Sequence, residues 1–316
     1  MFPWNMETKP VIKSLLENPE IEKVFHYGTH DANVLWTFGI DVINYKHDTL
    51  IMQNSLEPEM PRSLNFLTSV YTREPYYKQE GRGDLPEDSK VWAVRSDKQK
   101  IYIYNGKDCC CTYEIHEKLL KEIDSDALAA KTYQHKMNCL PMAFRMSRAG
   151  MNVNLELRDT FRQSLLHKWA AKQQILNAIA GKSVNVNSKK DMPWLLYEKL
   201  KLPVRRNRGS GITTDEDAII SLMTFSTHKI KNLKQQSAID DWEIKLEACR
   251  LIMEIRGTRK MLSTYIDAKL SDDNRLRSTY KVANTTMDKW AAEQWIDKTG
   301  LNGQTFPRGI LTFGKT

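Results

Sequence analysis

Cysteine is scarce in this sequence, and its arrangement excludes a disulfide framework. There are five cysteines in 316 residues, three of them contiguous from Cys109 to Cys111, and no pair has the C-x-x-C spacing of a zinc site. Long apolar runs are also lacking, and the first residues contain no basic region followed by an apolar stretch. These absences predict a protein of a reducing, cytosol-like compartment, without a membrane span or a signal peptide.

Charge, by contrast, is abundant and unevenly distributed. The chain carries 47 Lys and Arg against 39 Asp and Glu, a net charge of +8. Residues 1–126 contribute 15 basic and 21 acidic side chains, whereas residues 127–316 contribute 32 and 18. A chain of this length, 41% hydrophobic, is expected to form two or more domains. Its basic second half is the candidate for binding a polyanion.

Short helical and extended patterns alternate in the first part of the chain. The patterns predict a helix over residues 10–17, a strand over 21–26, a helix from Asp31 to Gly39, a strand over 42–45, and a further helix opened by Asp48. Alternating strands and helices predict an α/β layer.

Tyr104 and Asp108 are four residues apart at the start of a segment with helical periodicity. On a helix this spacing places a phenol and a carboxylate on one face. A hydroxyl can orient a water while a carboxylate holds a cation that polarises a phosphodiester, so the pair suits phosphoryl chemistry. The same spacing is also typical of an ordinary capped surface helix, and the spacing alone does not separate the two.

Two segments resemble motifs of the DEDDy 3′-5′ exonuclease domain that family A DNA polymerases, the bacterial polymerase I type, carry. The stretch from Lys23 to Asp31 resembles the second motif, and Tyr104 with Asp108 resembles the third. The resemblance implies a ribonuclease H-like α/β fold in which Asp31 and Asp108 bind metal, with Mg²⁺ as the cofactor. It also implies that Tyr104 orients the attacking water.

The sequence departs from this family at two points. Tyr27 stands where the family usually has Asn, which predicts weaker contact with the substrate. The D-x-E of the first motif does not occur upstream of Asp31, so the resemblance implies an incomplete sheet and an incomplete two-metal site. A sheet that lacks strands exposes an unpaired edge, and we expect something to cover it.

Long helical patterns dominate the second half. They span 127–150, with a kink expected at Pro141, and 155–180, and another runs from about Asp241 into Arg256 and beyond. Arg256 and Lys260 are one turn apart, which aims two cations the same way, although a solvated basic face has the same pattern.

The sequences of these segments resemble the thumb of family A polymerases. Arg256, Lys260, Thr264 and Tyr265 match R-x-x-x-K-L-x-x-T-Y, with Met261 in the Leu position, and Ser188 falls in an N-x-x-S segment that opens a helix. A basic, flexible loop follows at 205–211, suited to a phosphate backbone. Together these features predict the following DNA-binding residues: Ser188, Lys189, Lys190, Arg205, Arg206, Arg208, Arg256, Lys260, Thr264, Tyr265, Gln304 and Arg308.

The last segment resembles the beginning of a polymerase palm. Residues 274–282 alternate as a strand, and Gln304 lies in a segment similar to N-L-Q-N-I-P, whereas the Gly and Arg of the intervening family motif are replaced. The later palm motifs and the fingers do not occur in the sequence. The expected domains are a partial exonuclease domain over 1–126, a mainly helical thumb over 127–270, and a palm beginning over 271–316.

Three functions follow from the resemblance. The leading hypothesis is a subunit of a split family A DNA polymerase of the kind found in phages, acting on primer-template DNA. Partner chains would then supply the first exonuclease motif, the palm and the fingers. The alternative is a non-catalytic DNA-binding accessory protein derived from such a polymerase, and a third possibility is a stand-alone exonuclease. The expected location is the cytoplasm, that of the host if the chain is phage-encoded.

Overall fold

The chain divides into two compact units in a computed structural model that describes residues 5–75, 77, 98–287 and 289–306. The first unit combines Met1–Met151 with Leu270–Thr316, and the second comprises Asn152–Lys269. Two stretches far apart in the sequence therefore build the first unit, while the second is continuous.

The first unit begins with alternating helices and strands, as the sequence predicts. These are α1 (Thr8–Leu16), β1 (Lys23–Phe25), α2 (Gly28–Thr37), β2 (Tyr45–Asp48), α3 (Thr49–Leu56) and α4 (Leu64–Tyr71). Strands β1 and β2 pair in parallel. The strand predicted over 42–45 is wrong in its bounds, because Asn44 adopts a left-handed φ of 58° and the extended segment begins only at Tyr45.

Two long helices complete the core of this unit, α5 (Lys98–Ser125) and α6 (Ala127–Ala149). Helix α6 continues through Pro141 and ends at Gly150, which has a φ of 60°. Helices α3, α4, α5 and α6 share one buried cluster, whose members include Ile51, Met52, Leu67, Ile115, Leu119, Ile123, Tyr133 and Leu140. Helix α6, assigned to the thumb region by sequence, thus packs within the first unit, and the expected domain boundaries remain a prediction.

The second stretch of the first unit, which starts at Leu270, contains a small β-structure, called the distal β-structure below. Its strands are β4 (Arg275–Leu276), β5 (Ser278–Lys281) and β6 (Ala291–Gln294), and a two-residue strand, β3 (Met151–Asn152), lies at the boundary between the units. Strands β5 and β6 pair antiparallel, and a 3₁₀ turn follows at Gly303–Thr305. The single strand predicted over 274–282 is therefore two short strands.

The second unit is mainly helical, as predicted. It contains α7 (Leu155–Ala180), α8 (Asp191–Pro193) continued by a π-helix (Trp194–Lys199), α9 (Glu216–Asn232), and α10 (Gln236–Lys260) continued by a second π-helix (Met261–Ile266). The caps follow the sequence signals: Asn154 and Asp215 cap α7 and α9, and Gly181 ends α7 in a left-handed conformation.

The helices of the second unit enclose one apolar cluster. Its fully buried members include Leu176, Met192, Leu195, Leu222 and Ile252, contributed by α7, the α8 region, α9 and α10. This packing fixes the helix ends that carry the basic residues discussed below. Among the described helices, none is both long and apolar enough to cross a membrane.

Candidate functional site

Asp31 lies in the first turn of α2 and is exposed to solvent. Neighbouring protein atoms nevertheless crowd its carboxylate, and this burial raises its pKa above the usual range. The nearby Asp48 acts in the same direction, while His30 opposes it. The second carboxylate close to Asp31 is thus Asp48, which sequence reasoning placed at a helix start and did not count among the metal ligands.

Asp48 is completely buried and has a structural role. Its two carboxylate oxygens accept hydrogen bonds from the backbone N–H groups of Tyr27, Gly28, Leu50 and Ile51 and from the hydroxyl of Tyr45. One side chain therefore caps α3 and also holds the start of α2, the helix that carries Asp31. With these bonds made, Asp48 has little capacity left for a metal ion.

Tyr104 and Asp108 lie one turn apart on α5, and a third residue, Tyr77, joins them. The Tyr77 hydroxyl donates to Asp108 Oδ1 over 2.6 Å, and the Tyr77 and Tyr104 rings meet edge to face with centroids 5.8 Å apart. Only 2% of Tyr77 is exposed, and burial together with the bond to Asp108 raises the pKa of its phenol. Lys107 lies over the same ring and pairs with Glu74 at 2.8 Å.

The described residues do not fit a two-metal exonuclease centre. No group of three or more His, Cys, Asp and Glu side chains in 5–75, 77, 98–287 and 289–306 is placed to hold a metal ion. Asp48 acts electrostatically on Asp31, whereas Asp108 is bonded to Tyr77. Two-metal chemistry needs several carboxylates around a shared position, so these residues by themselves support no catalytic step through a metal.

Tyr27, in place of the usual Asn, contacts the distal β-structure of its own unit. It caps α2 with a left-handed φ of 57°, and its hydroxyl donates to Glu293 Oε1 over 3.0 Å. Lys281 forms an ion pair with Glu293 and also lies over the Tyr27 ring. Burial and Glu293 raise the pKa of Tyr27. The Tyr27 side chain therefore makes contacts within the protein, and these contacts link α2 to strands β5 and β6.

Ser188, Lys189 and Lys190 form a turn at the start of α8 in the second unit. Ser188 Oγ accepts hydrogen bonds from the N–H groups of Lys190 and Asp191, at 3.2 and 3.1 Å. The N-cap predicted at Ser188 is therefore two residues too early, because Ser188 Oγ organises the preceding turn while Lys190 is the N-cap residue of the short helix, which passes at once into a π-helix. Both lysines are exposed.

The basic loop after this turn has a defined conformation. Arg206 and Ile212 form an isolated antiparallel bridge, and the Arg206 guanidinium donates to the carbonyl of Ser210 over 2.8 Å. Arg208 is exposed at the tip, whereas Arg205 is partly buried against the ring of Phe225. The three predicted arginines therefore have different environments.

Arg256 and Lys260 occupy the last turns of α10 and differ in the same way. Lys260 is exposed, while Arg256 is half-buried and bonded to two backbone carbonyls. Thr264, exposed, and Tyr265, partly buried, follow in the second π-helix.

Gln304 belongs to the first unit, where its side-chain amide bonds the backbone of Trp290 and Ala292 beside β6. Arg308 lies outside the described residues. The predicted DNA-binding residues therefore fall mainly in the second unit.

Comparison with known proteins gives a family match over the first part of the chain and relatives across most of its length. Residues 3–124 match the 3′-5′ exonuclease family of DNA polymerase A. The chain is 24% identical over 263 residues to DNA polymerase I of Pseudomonas aeruginosa, covering 81% of this chain and 26% of that protein. It is 23% identical over 308 residues to the Bacillus subtilis enzyme of the same name, covering 94% and 31%.

A solved structure extends the likeness to most of the fold. The POL domain of Pol1 from M. smegmatis, in complex with DNA primer-template and dNTP, matches with a TM-score of 0.59 at 18% identity, covering 96% of this chain and 46% of that one. The chain thus spans about a quarter to a third of the two curated relatives named above. At this identity the structural match establishes the fold.

Proposed function

We propose, from the premise that this chain belongs to the family A DNA polymerases, that its helical second unit binds primer-template DNA within a polymerase assembly. The observation that carries the proposal is the partition of charge. Residues 152–269 contain 21 Lys and Arg against 13 Asp and Glu, a net +8, while the rest of the chain contains 26 of each. All of the net positive charge therefore belongs to the unit with the predicted DNA contacts.

The exposed cations of this unit suit contacts with phosphates. Lys189, Lys190, Arg206, Arg208 and Lys260 are exposed on three separate segments of the second unit. Ser188, Arg205, Thr264 and Tyr265 lie in the same segments and are proposed as neighbouring contacts. Contacts with phosphates do not depend on base sequence, which suits a protein that must move along any primer-template.

The salt dependence of binding to a labelled primer-template duplex tests this proposal. In Lys189→Gln/Lys190→Gln we expect about tenfold weaker binding at moderate salt, and a slope of log K against log salt shallower by about 1.8, since each phosphate contact contributes about 0.9. The control is Lys121→Gln/Lys131→Gln, which removes two exposed lysines of the first unit and the same net charge. Equal effects of both pairs, or no binding by the unaltered chain, would refute the proposal.

Catalysis in this assembly requires groups beyond those that the described residues bring together. We propose that other polymerase segments, carried by partner chains, supply the palm, the fingers and the remaining exonuclease carboxylates. Asp31 and Asp108 would bind Mg²⁺, and Tyr104 would orient water, only with those carboxylates present. Removing Asp108 in the assembled complex (Asp108→Ala) then abolishes proofreading of a mismatched 3′ end while DNA binding by the second unit is retained.

One observation favours the second candidate, a non-catalytic DNA-binding accessory protein. The Asp108 carboxylate is already engaged by the buried Tyr77 hydroxyl. Unchanged proofreading by Asp108→Ala, together with intact DNA binding, would select this alternative over the catalytic subunit. Elution of the chain at its own mass of 36.7 kDa, without companion polymerase chains, when it is purified from its own source would favour it too.

A further inference from the structure

Arg256 makes two hydrogen bonds inside the second unit, to different segments of the backbone. Its Nε–H donates to the carbonyl of Val186 over 2.8 Å, and its Nη1 donates to the carbonyl of Thr214 over 2.7 Å. The side chain is half-buried, and burial lowers its pKa while Asp215 opposes the shift. A guanidinium used in this way is directed into the protein.

The first segment it holds is the lysine-bearing turn. Val186 is 2% exposed and precedes Ser188 by two residues. Because Ser188 Oγ organises the N–H groups of Lys190 and Asp191, a fixed Val186 carbonyl fixes the start of the turn that presents Lys189 and Lys190. Without this bond the turn would keep the hydrogen bonds to Ser188 Oγ and lose its connection to α10.

The second segment is the base of the basic loop. Thr214 follows Thr213, whose N–H donates to the carbonyl of Arg205 over 3.0 Å and whose own carbonyl accepts from the Tyr197 hydroxyl over 2.5 Å. The loop from Arg205 to Thr213 thus closes immediately beside the Arg256 bond. Fixing Thr214 therefore fixes the base from which Arg206 and Arg208 project.

We propose that Arg256 is a positioning residue, which holds the lysine turn and the basic loop in the arrangement that binds DNA. This inference rests on the proposed function of the second unit and deepens it. The side-chain ammonium of Lys260, one turn later, has no hydrogen bond or ion pair among the described residues and is exposed, so it is the member of the pair available to a phosphate. The two cations of the R-x-x-x-K segment then have different tasks.

The fork of the guanidinium explains why arginine is needed at this position. Its N–H groups point in fixed, different directions and reach two carbonyls at once, whereas the ammonium of lysine is a compact charge on a flexible stem. A lysine at position 256 would keep the charge and lose at least one of the two bonds. Arg256→Lys therefore separates the positioning role from the charge.

The test compares Arg256→Lys and Arg256→Gln with Lys260→Gln in the full chain, using two measurements. The first is hydrogen exchange in free protein. We expect backbone amides of 186–191 and 205–215 to exchange at least tenfold faster in both Arg256 variants and at an unchanged rate in Lys260→Gln. Circular dichroism and thermal unfolding of each variant establish that the helical unit is intact.

The second measurement is binding to labelled primer-template duplex across a salt series. Arg256→Lys is expected to bind about five- to tenfold more weakly at every salt concentration although its charge is unchanged. Lys260→Gln is expected to make the salt slope shallower by about 0.9, the contribution of one phosphate. Arg256→Gln should weaken binding no more than about twofold beyond Arg256→Lys.

Two outcomes would overturn the positioning role. One is unchanged exchange of both segments in Arg256→Lys. The other is unaltered DNA affinity in Arg256→Lys combined with a slope loss of one phosphate in Arg256→Gln, which is the signature of a direct contact. Failure of the unaltered chain to bind duplex refutes the proposed function instead. The hydrogen-exchange result then still decides whether Arg256 holds the two segments in place.

Discussion

At the scale of single residues, Asp48 is the side chain on which the first unit depends most. It is fully buried, and the five hydrogen bonds that its carboxylate accepts join the starts of α2 and α3. Asp48→Asn keeps the shape but replaces an acceptor by a donor, leaving N–H groups unsatisfied, and we expect a loss of about 3 kcal/mol in the free energy of unfolding.

Urea unfolding followed by circular dichroism measures this loss. The control is Asp41→Asn, since Asp41 is exposed and pairs with Arg148 at 3.0 Å near the surface, where such a pair is worth less than about 1 kcal/mol. Equal losses in the free energy of unfolding in the two variants would show that Asp48 contributes no more to stability than an exposed carboxylate does.

The neighbouring side chains of His47 and His116 are expected to make the first unit less stable in acid. The rings of His47 and His116 are 4.5 Å apart, and neither nitrogen of the buried His116 has a hydrogen-bond partner among the described residues. Burial and then His116 lower the pKa of His47 from 6.5 to about 4, with Lys46 acting in the same direction and Glu22 and Asp124 opposing it. Burial also lowers the pKa of His116.

The sign follows from proton binding. Between about pH 6.5 and about 4 the unfolded chain binds more protons than the folded one, so stability falls as the pH falls through this window. His116→Phe removes one of the two groups and should reduce the difference in urea midpoint between pH 7 and pH 5. His228→Gln, which alters an exposed histidine of α9, should leave that difference unchanged. A His116→Phe difference as large as that of the unaltered chain would contradict this account.

The sequence predicted some residues of the candidate site and missed others. Tyr104 and Asp108 stand out because a fixed spacing on one helix is visible in the letters. Tyr77 does not, because its contact with Asp108 joins residues 31 positions apart and follows from tertiary packing. The paired carbonyls of Arg256 are likewise backbone groups from two distant segments, which side-chain patterns do not record.

At the scale of elements, the helices were the most predictable feature and the strands the least. Helices α6, α7 and α9 begin or end at Asn, Asp and Gly caps that are local signals. Strand β2 starts three residues later than predicted because one left-handed residue, Asn44, delays it. Helix α10 begins at Gln236, before the start predicted near Asp241.

Two glycines with opposite roles give a prediction at this scale. Gly257 lies within α10 with open space where a Cβ would be placed, so Gly257→Ala should stabilise the second unit by about 0.5–1 kcal/mol. Gly300 has a φ of 67°, and a Cβ there would lie 1.9 Å from the carbonyl oxygen of Arg277. Gly300→Ala should therefore destabilise the β5–β6 region by more than Gly257→Ala stabilises α10.

Thermal unfolding and hydrogen exchange of the two glycine variants check both signs. Exchange should slow in α10 for Gly257→Ala and accelerate around β5 and β6 for Gly300→Ala. A stabilised Gly300→Ala protein would mean that the tight approach to Arg277 is not maintained in solution.

At the scale of the whole molecule, charge is divided along the sequence at a different position from the compact units. The first 126 residues are acidic and the remainder basic, but the continuous unit runs from Asn152 to Lys269 and the segment after it returns to the first unit. Such a return depends on tertiary contacts, among them the bond from Tyr27 to Glu293 across 266 positions. Sequence periodicity contains no information about contacts at that separation.

The charge division predicts that DNA protects one unit and leaves the other unchanged. A ligand that binds only the folded form of the second unit stabilises it by about 2.7 kcal/mol at a concentration 100 times its Kd. Amides of Asn152–Lys269 that exchange through opening of that unit should then exchange about 100-fold more slowly with primer-template duplex, and amides of Met1–Met151 at their original rate. High salt should abolish the protection, because counterion release drives contacts with phosphates. Protection centred on the first unit would instead assign DNA binding to the exonuclease-like residues Asp31, Tyr104 and Asp108.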